Sequence, residues 1–510
     1  MGDMQEHKMG FPDERMGRVD ADPDPRPAPG LRHTPVSARW RWFVALWALS
    51  LLFHLANAGL TSRMFVSPTS ASWWGGGIAV FAIVLMMRPD RLLPLLLVSL
   101  AVPVLAWLES PVMGNHWLVV TLVSLGVVVA TVHSAVRGRS PAALDTTRVL
   151  EPMARGVFFV FYSFTTLSKV NRGFLDPIVS CGTYFTDETA RSIGLGSLNT
   201  AGSPFWGRVV VMAIIVVELS VVALLVIHRT RVLGVFVAVV FHGIIGLDGL
   251  HSFADFSSLV YALLLLFLPV EFFTAVSARL GGLERFASRA VRYACATVMG
   301  LVLVMRGSSL SGGWADFPAD ARDTVWRVFS LGLAVVVGWY MVSRRRLGVD
   351  REESITVVPA PRWLLVVALL AFLNGLTPYL GVKTTYSWNM YSNLVTAPGY
   401  ENGLLIPTAW RWTDRQGDLV TVLSSSDPGL NVYAERRYLL TFTALRAYTS
   451  TRPDARLVYA RDRTIREVPS TRADPVLSRP VGGWEKRLFA YRAVDSGAPA
   501  RCQPYFLPAG

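Results

Sequence analysis

The stretch FYSFTTLSKVNRGFLDP, Phe161 to Pro177, closes an apolar run with a lysine. Only four of the chain's 49 Lys plus Arg residues are lysines: Lys8, Lys169, Lys383 and Lys486. Arginine keeps its proton inside a protein, whereas a partly buried lysine can take part in proton transfer. Lys169 is therefore either a membrane anchor or a base. The run that it ends, from about residue 150, is long enough to cross a bilayer. It is one of a series, and that series sets the fold.

The composition agrees. Of 510 residues, 52% are hydrophobic and 17% charged, against about one-quarter charged in soluble domains. A net charge of +13 raises nucleic acid as a partner. The basic residues form no aromatic-interleaved patch, however; they sit in short clusters between apolar runs, which is how membrane topology is written. Nucleic acid is set aside. Residues 1–38, rich in Pro, Asp, Arg and Gly, read as a disordered cytoplasmic tail without a cleavable signal peptide. Three cysteines (Cys181, Cys295, Cys502) are too few for a cysteine metal cluster or a disulfide scaffold, and no metal is expected.

Apolar runs of about 17 to 25 residues recur near 42–60, 73–87, 91–108, 116–136, 150–170, 206–228, 232–250, 256–274, 290–306, 324–343 and 362–380. The fold class expected is an all-α polytopic membrane bundle of about eleven helices over residues 39–381. Alternate loops carry the positive charge: Arg88 to Arg91, His133 to Arg148, His228 to Arg231, Arg279 to Arg292, and Ser343 to Arg346. The opposite loops, Glu109-Ser110, Asp248 to Asp255 and Asp316 to Asp323, are acidic or poor in arginine. Cytoplasmic positive charge puts the N-terminus inside the cell membrane and residues 382–510 outside. That outer segment reads as a small α+β domain, with strands at Leu419–Leu423, Arg456–Ala460 and Thr464–Val468 and an amphipathic helix over Glu435–Thr449.

Topology places several polar groups at the outer boundary: Lys169, Asn115, His116, His54, Asn57, Asp248 and His251. Deeper, Glu218 and His242 lie mid-way along neighbouring spans, and a hydrogen bond between them is expected because an intramembrane charge seeks a partner. Each group also has a plainer reading. Lys169 can snorkel to head groups; Glu218 with His242, and His54 with Asn57, can be interhelical glue; His116 can be an interfacial histidine. Cys181 and Cys502 both fall outside, where disulfides persist, and a bridge would tie an outer loop to the C-terminal segment.

In order, Asn115-His116 opening a helix, Leu167-Ser168-Lys169-Val170-Asn171 before Phe174-Leu175, the helix around Glu218, the tight Arg229-Thr230-Arg231 turn and Val240-Phe241-His242 with Ser252-Phe253 resemble the transmembrane HTTM family, related to vitamin K-dependent γ-carboxylase. So do Asn374-Gly375-Leu376-Thr377-Pro378-Tyr379 and Tyr386-Ser387-Trp388-Asn389-Met390-Tyr391-Ser392-Asn393. The likeness runs from about residue 40 to 410. It implies quinol-coupled epoxidation and carboxylation at the outer membrane face, with a reduced, vitamin K-like quinone as cofactor. It also implies Lys169 as the base and His116 assisting, with Asn115, Asn171, Glu218, His242 and Trp388 in support. Where the carboxylase has Lys–Leu–Asp, this chain has Lys169-Val170-Asn171, and its outer segment is much shorter. Partners implied are membrane lipid and a peptide or protein substrate outside. The alternative is a non-catalytic membrane protein that binds a lipid or a protein partner.

Overall fold

The computed structural model describes residues 37–58, 69–138, 145–249, 251, 253–280, scattered positions between 289 and 300, 317–344, 346, 355–406 and 410–503. Among these, six helices are long and apolar enough to cross a membrane. They are Ser70–Met87, Leu92–Glu109, Asn115–Val136, Pro204–Val226, His228–Ile245 and Asp323–Ser343. Phe253–Leu265 with Val270–Arg279 makes a seventh if a pair bent by 100° is one span. The count of about eleven is thus met only in part. The apolar helix over Arg362–Leu376 is shorter, and most of the run expected at 290–306 lies outside the described residues, as does the tail at 1–36.

Two other expected spans are helical but of a different kind. Ala38–Asn57 and Glu151–Leu167 are buried along most of their length and carry Arg39, Glu151 and Arg155. They lie inside the bundle, Ala38–Asn57 against Phe253–Leu265 and Glu151–Leu167 against Leu365–Leu376. The peripheral helices behave oppositely. Pro204–Val226 exposes Val209, Met212, Val216 and Leu219, and Phe317–Ser343 exposes Val328, Leu331, Val335 and Val342. The spacing of three, four and seven puts each set on one helix face, which makes an apolar outer wall.

The bend after Leu265 is held from the interior helices. Arg155 donates Nε–H to Leu266 O (2.7 Å) and Arg39 donates Nη1–H to Leu268 O (3.2 Å). Both guanidiniums bond Glu151 Oε2, at 2.8 and 2.6 Å, and Ser37 donates to Oε1 (2.8 Å). A broken helix in an apolar interior leaves carbonyls that no water can satisfy. The two arginines supply those donors, and Glu151 offsets their charge.

Residues from Leu419 onward build a five-stranded antiparallel sheet in the order β4-β3-β1-β2-β5, with β1 Leu419–Ser425, β2 Tyr438–Thr441, β3 Leu457–Arg461, β4 Thr464–Val468 and β5 Val494–Asp495. The strands expected from sequence are present. The helix expected over Glu435–Thr449 is not continuous: it splits into Pro428–Arg436, β2 and Phe442–Thr449. Arg437 takes a left-handed conformation (φ 58°) that ends the first helix, and all four β2 residues are buried against β1. Burial on both faces overrides the amphipathic pattern there. Cys181 and Cys502 are joined by a disulfide, and Arg487 lies over the Trp107 ring at 4.4 Å, so helices and C-terminal segment are tied at several points.

Asp495 gives this segment a pH dependence. Burial alone would raise its pKa, but Arg501 donates Nε–H at 2.7 Å and Nη2–H at 2.9 Å, and the Gly497 and Arg501 backbone N–H groups donate as well. Together they hold the carboxyl below its ordinary value of about 4. A depressed folded-state pKa contributes stability that is full above the unfolded value and is lost as pH falls through the folded one. Asp495→Asn is expected to speed hydrogen exchange in Tyr438–Thr441 at neutral pH, with the difference from wild type vanishing as the pH drops below that range. An undiminished difference in acid would refute the assignment.

Candidate functional site

A cavity of about 320 Å³ opens between the Glu151–Leu167, Cys181–Ser192, Pro204–Val226 and Arg231–Ile245 helices. Its wall is apolar, formed by Phe174, Phe185, Ile214, Phe241, Phe253 and Phe256 among others, with a few polar groups from Tyr162, Thr165, Lys169, Glu218 and His242. This volume lies at the lower end of the range for small-molecule sites, about 300–1,000 Å³, which combine apolar walls with few polar groups. Leu195, Leu198 and Ile244 also line it and are each more than half exposed. The opening is therefore apolar too.

Lys169 lies in the turn just past Leu167, where the helix has ended. Its four-carbon stem folds back along that helix: Nζ donates to Thr165 O (3.3 Å) and to both Glu218 carboxylate oxygens, at 3.0 and 2.9 Å. The side chain is 11% exposed, and it points to a carboxylate in the cavity wall. The bond expected between Glu218 and His242 is absent. Glu218 takes Lys169 instead, because the flexible lysine reaches down to it, and His242 Nε2 lies 3.1 Å from Tyr162 Oη. Tyr162 escaped the sequence reading. It lies seven residues before Lys169, two helical turns, and so shares its face; that spacing was the available signal.

Three of the expected supporting residues hold the lysine's surroundings and do not line the cavity. Asn171 is fully buried, caps the Arg172–Leu175 turn through Phe174 N–H (2.9 Å), and donates to Ser168 O and Ser392 O. Asn115 Oδ1 accepts from Trp388 N–H (3.2 Å), and Trp388 donates its indole N–H to Ala371 O (2.7 Å). The segment they fasten contains four non-glycine residues at positive φ: Tyr386, Trp388, Tyr391 and Asn393. Such backbone is costly for bulky residues and persists only where surrounding contacts fix it. It places Met390 and Tyr391 in the cavity wall. Lys383, near the start of the same segment and outside the cavity lining, is buried with Nζ 3.7 Å from the Tyr386 ring centroid, and desolvation holds it well below the ordinary lysine value.

His116 does not meet Lys169 in a common pocket. Its Nε2 lies 3.1 Å from Asp255 Oδ2, and His54 Nδ1 lies 2.9 Å from the same oxygen. His54 Nε2 in turn lies 3.3 Å from Glu109 Oε2. The Phe256 ring stands between the two groups, 6.1 Å from His116 and 5.3 Å from His242 by ring centroids. The reason is rotational: Asn115 faces Trp388, whereas its neighbour His116 turns about 100° round the helix towards Phe253–Leu265. Asp255 and Glu109 read from sequence as loop acids, since nothing local shows that a loop acid faces histidines on other helices. His251 pairs with Asp248 (3.0 Å).

Fold and cavity together define a helical bundle with membrane-length apolar helices and an apolar cavity whose wall carries the buried Lys169–Glu218 ion pair. Comparison with protein-family models, with curated proteins and with solved structures finds no match.

Proposed function

We propose that this chain is a membrane protein of the γ-carboxylase-related HTTM type that binds a reduced quinone in the Lys169 cavity and oxidises it, with Lys169 as base. The observation that carries the reading is a lysine–carboxylate pair set in the wall of an otherwise apolar cavity with an apolar opening. A quinone ring fits the chamber, and an isoprenoid tail would leave past Leu195, Leu198 and Ile244 into lipid. The N-terminus lies in the cytoplasm and residues 382–510 outside the cell membrane. Basic loops on the opposite side and a disulfide between Cys181 and Cys502, which persists in oxidising compartments, support that orientation. A carboxyl-bearing peptide or protein substrate approaches from outside.

The ion pair suits proton transfer because it carries no net charge. When the ammonium hands a proton to the Glu218 carboxylate, a neutral amine remains that takes the quinol hydroxyl proton. Oxidation of the quinol by dioxygen then gives an epoxide and water: one oxygen atom enters the ring and the other leaves with the two hydroxyl hydrogens. Tyr162 and His242 bound the same wall and orient the head group.

The test is epoxide formation by the full chain in lipid nanodiscs, supplied with an isoprenoid hydroquinone, dioxygen and bicarbonate and read by mass spectrometry. Wild type is expected to yield epoxide. Lys169→Arg keeps the charge opposite Glu218 but cannot be deprotonated, and is expected to fall to background. Equal yields from both proteins, or none from wild type, would remove the catalytic reading and leave lipid or partner binding.

A further inference from the structure

We infer that His54, His116 and Asp255 form a binding site for a divalent first-row transition-metal ion, separate from the quinone cavity and independent of any reaction there. The three residues come from three helices, and their donor atoms all lie within 4.8 Å of one another. The two imidazole nitrogens approach one carboxylate oxygen at 2.9 and 3.1 Å. Donors sharing an ion at roughly 2.0–2.2 Å are spaced in that way or slightly wider.

Four features mark the cluster as built. His54 turns its other nitrogen to Glu109 Oε2 at 3.3 Å, the carboxylate–histidine arrangement that fixes a ligand's tautomer and orientation. Its ring is stacked on Trp117, 3.8 Å between centroids at 15°. His116 packs over Gly114, where a Cβ would stand 2.6 Å from the His116 ring, so the ring's position requires glycine there. Finally, both ring nitrogens of His116 are buried and make no hydrogen bond of proper geometry, although Nε2 is 3.1 Å from the carboxylate. That nitrogen is near the oxygen but not aimed at it, as expected of a ligand that converges on a third atom, whereas His54 Nδ1 hydrogen-bonds the same oxygen, a contact whose proton an incoming ion replaces.

The donor set selects the ion class. Two imidazoles and one carboxylate oxygen suit zinc, iron or manganese, whereas magnesium and calcium prefer oxygen. Three protein ligands leave open positions for water or a small molecule. Both imidazoles must be neutral on the bonding side, so binding releases protons and weakens as the pH falls. The low cysteine count bears only on sulfur sites and leaves this one open.

Cobalt(II) is the probe, since its visible d–d absorption reports coordination by imidazole. Tag-free full-length protein in nanodiscs, stripped by chelator, is titrated with Co²⁺ while absorption and metal per chain are measured. One ion per chain with new visible bands is expected. His116→Ala and Asp255→Asn are expected to abolish the bands, and Glu109→Gln to weaken binding about 10- to 100-fold. Lys169→Arg, which keeps the charge opposite Glu218 but cannot serve as the base, should bind Co²⁺ as wild type does, which separates this site from the quinone reading. Wild type that takes up no stoichiometric cobalt overturns the inference whatever the variants do. So do bands that survive in folded His116→Ala and Asp255→Asn proteins.

Discussion

Lys169→Met is expected to cost the protein about 3–5 kcal/mol of stability and all quinol oxidation, while adding Glu218→Gln should restore most of the stability and none of the chemistry. Removing one partner of a buried pair strands the other as an uncompensated charge, and Glu218 is almost fully buried. Replacing both by neutral groups of similar volume removes the desolvation penalty along with the attraction, and such swaps are often neutral or stabilising. A purely structural clamp would lose and regain activity in step with stability. A base would not: the double variant would fold and bind quinol, yet make no epoxide. Thermal unfolding in nanodiscs and epoxide yield, measured on the same three proteins, separate the two. Activity recovered in the double variant would show that Lys169 only holds the helices.

The second large effect is expected far from the cavity. Glu151→Gln leaves Arg39 and Arg155 facing each other across a neutral amide, with both guanidiniums buried and still fixed to the carbonyls of the bend. Loss of the shared carboxylate should destabilise the fold by about 3–5 kcal/mol. The exposed Asp90–Arg91 pair, with atoms 4.0 Å apart and both side chains more than half exposed, sets the comparison. Asp90→Asn should change stability by less than about 1 kcal/mol, because water and salt screen it. Equal, small effects of the two substitutions would mean that the buried network does not hold the bend.

Local signals made the helices legible. The apolar runs gave the positions of Ser70–Met87, Leu92–Glu109, Asn115–Val136 and Pro204–Val226 to within a few residues, because hydropathy over a bilayer length is a property of neighbours in sequence. Interior helices were harder to separate from outer ones, since Glu151–Leu167 is apolar enough to pass as a span while its charges close a network with Arg39, 112 residues away. Only an expected depth for Lys169 and His116 followed from topology. Their lateral separation did not, because helix rotation is set by packing across the bundle: Phe256 keeps them apart, and only the folded chain brings Asp255 to His54 over 201 positions. Tyr162 was within reach by helical spacing alone. The strand at Tyr438–Thr441 was hidden because its two faces are buried by residues outside it: Tyr438 and Leu440 pack with Leu430, Tyr433 and Leu445, and Leu439 packs with Val395, Ala397 and Ala500.

Photolabelling with an azido-naphthoquinone shows whether the Lys169 cavity holds a quinone. In full-length protein in nanodiscs, the label is expected on peptides that contain Tyr162 to Phe174 and Ile214 to Glu218. It should be displaced by excess unlabelled hydroquinone and lost when Ile214→Trp fills the chamber. Label confined to the exposed apolar faces around Val209 and Val328, undiminished by competitor, would contradict the account.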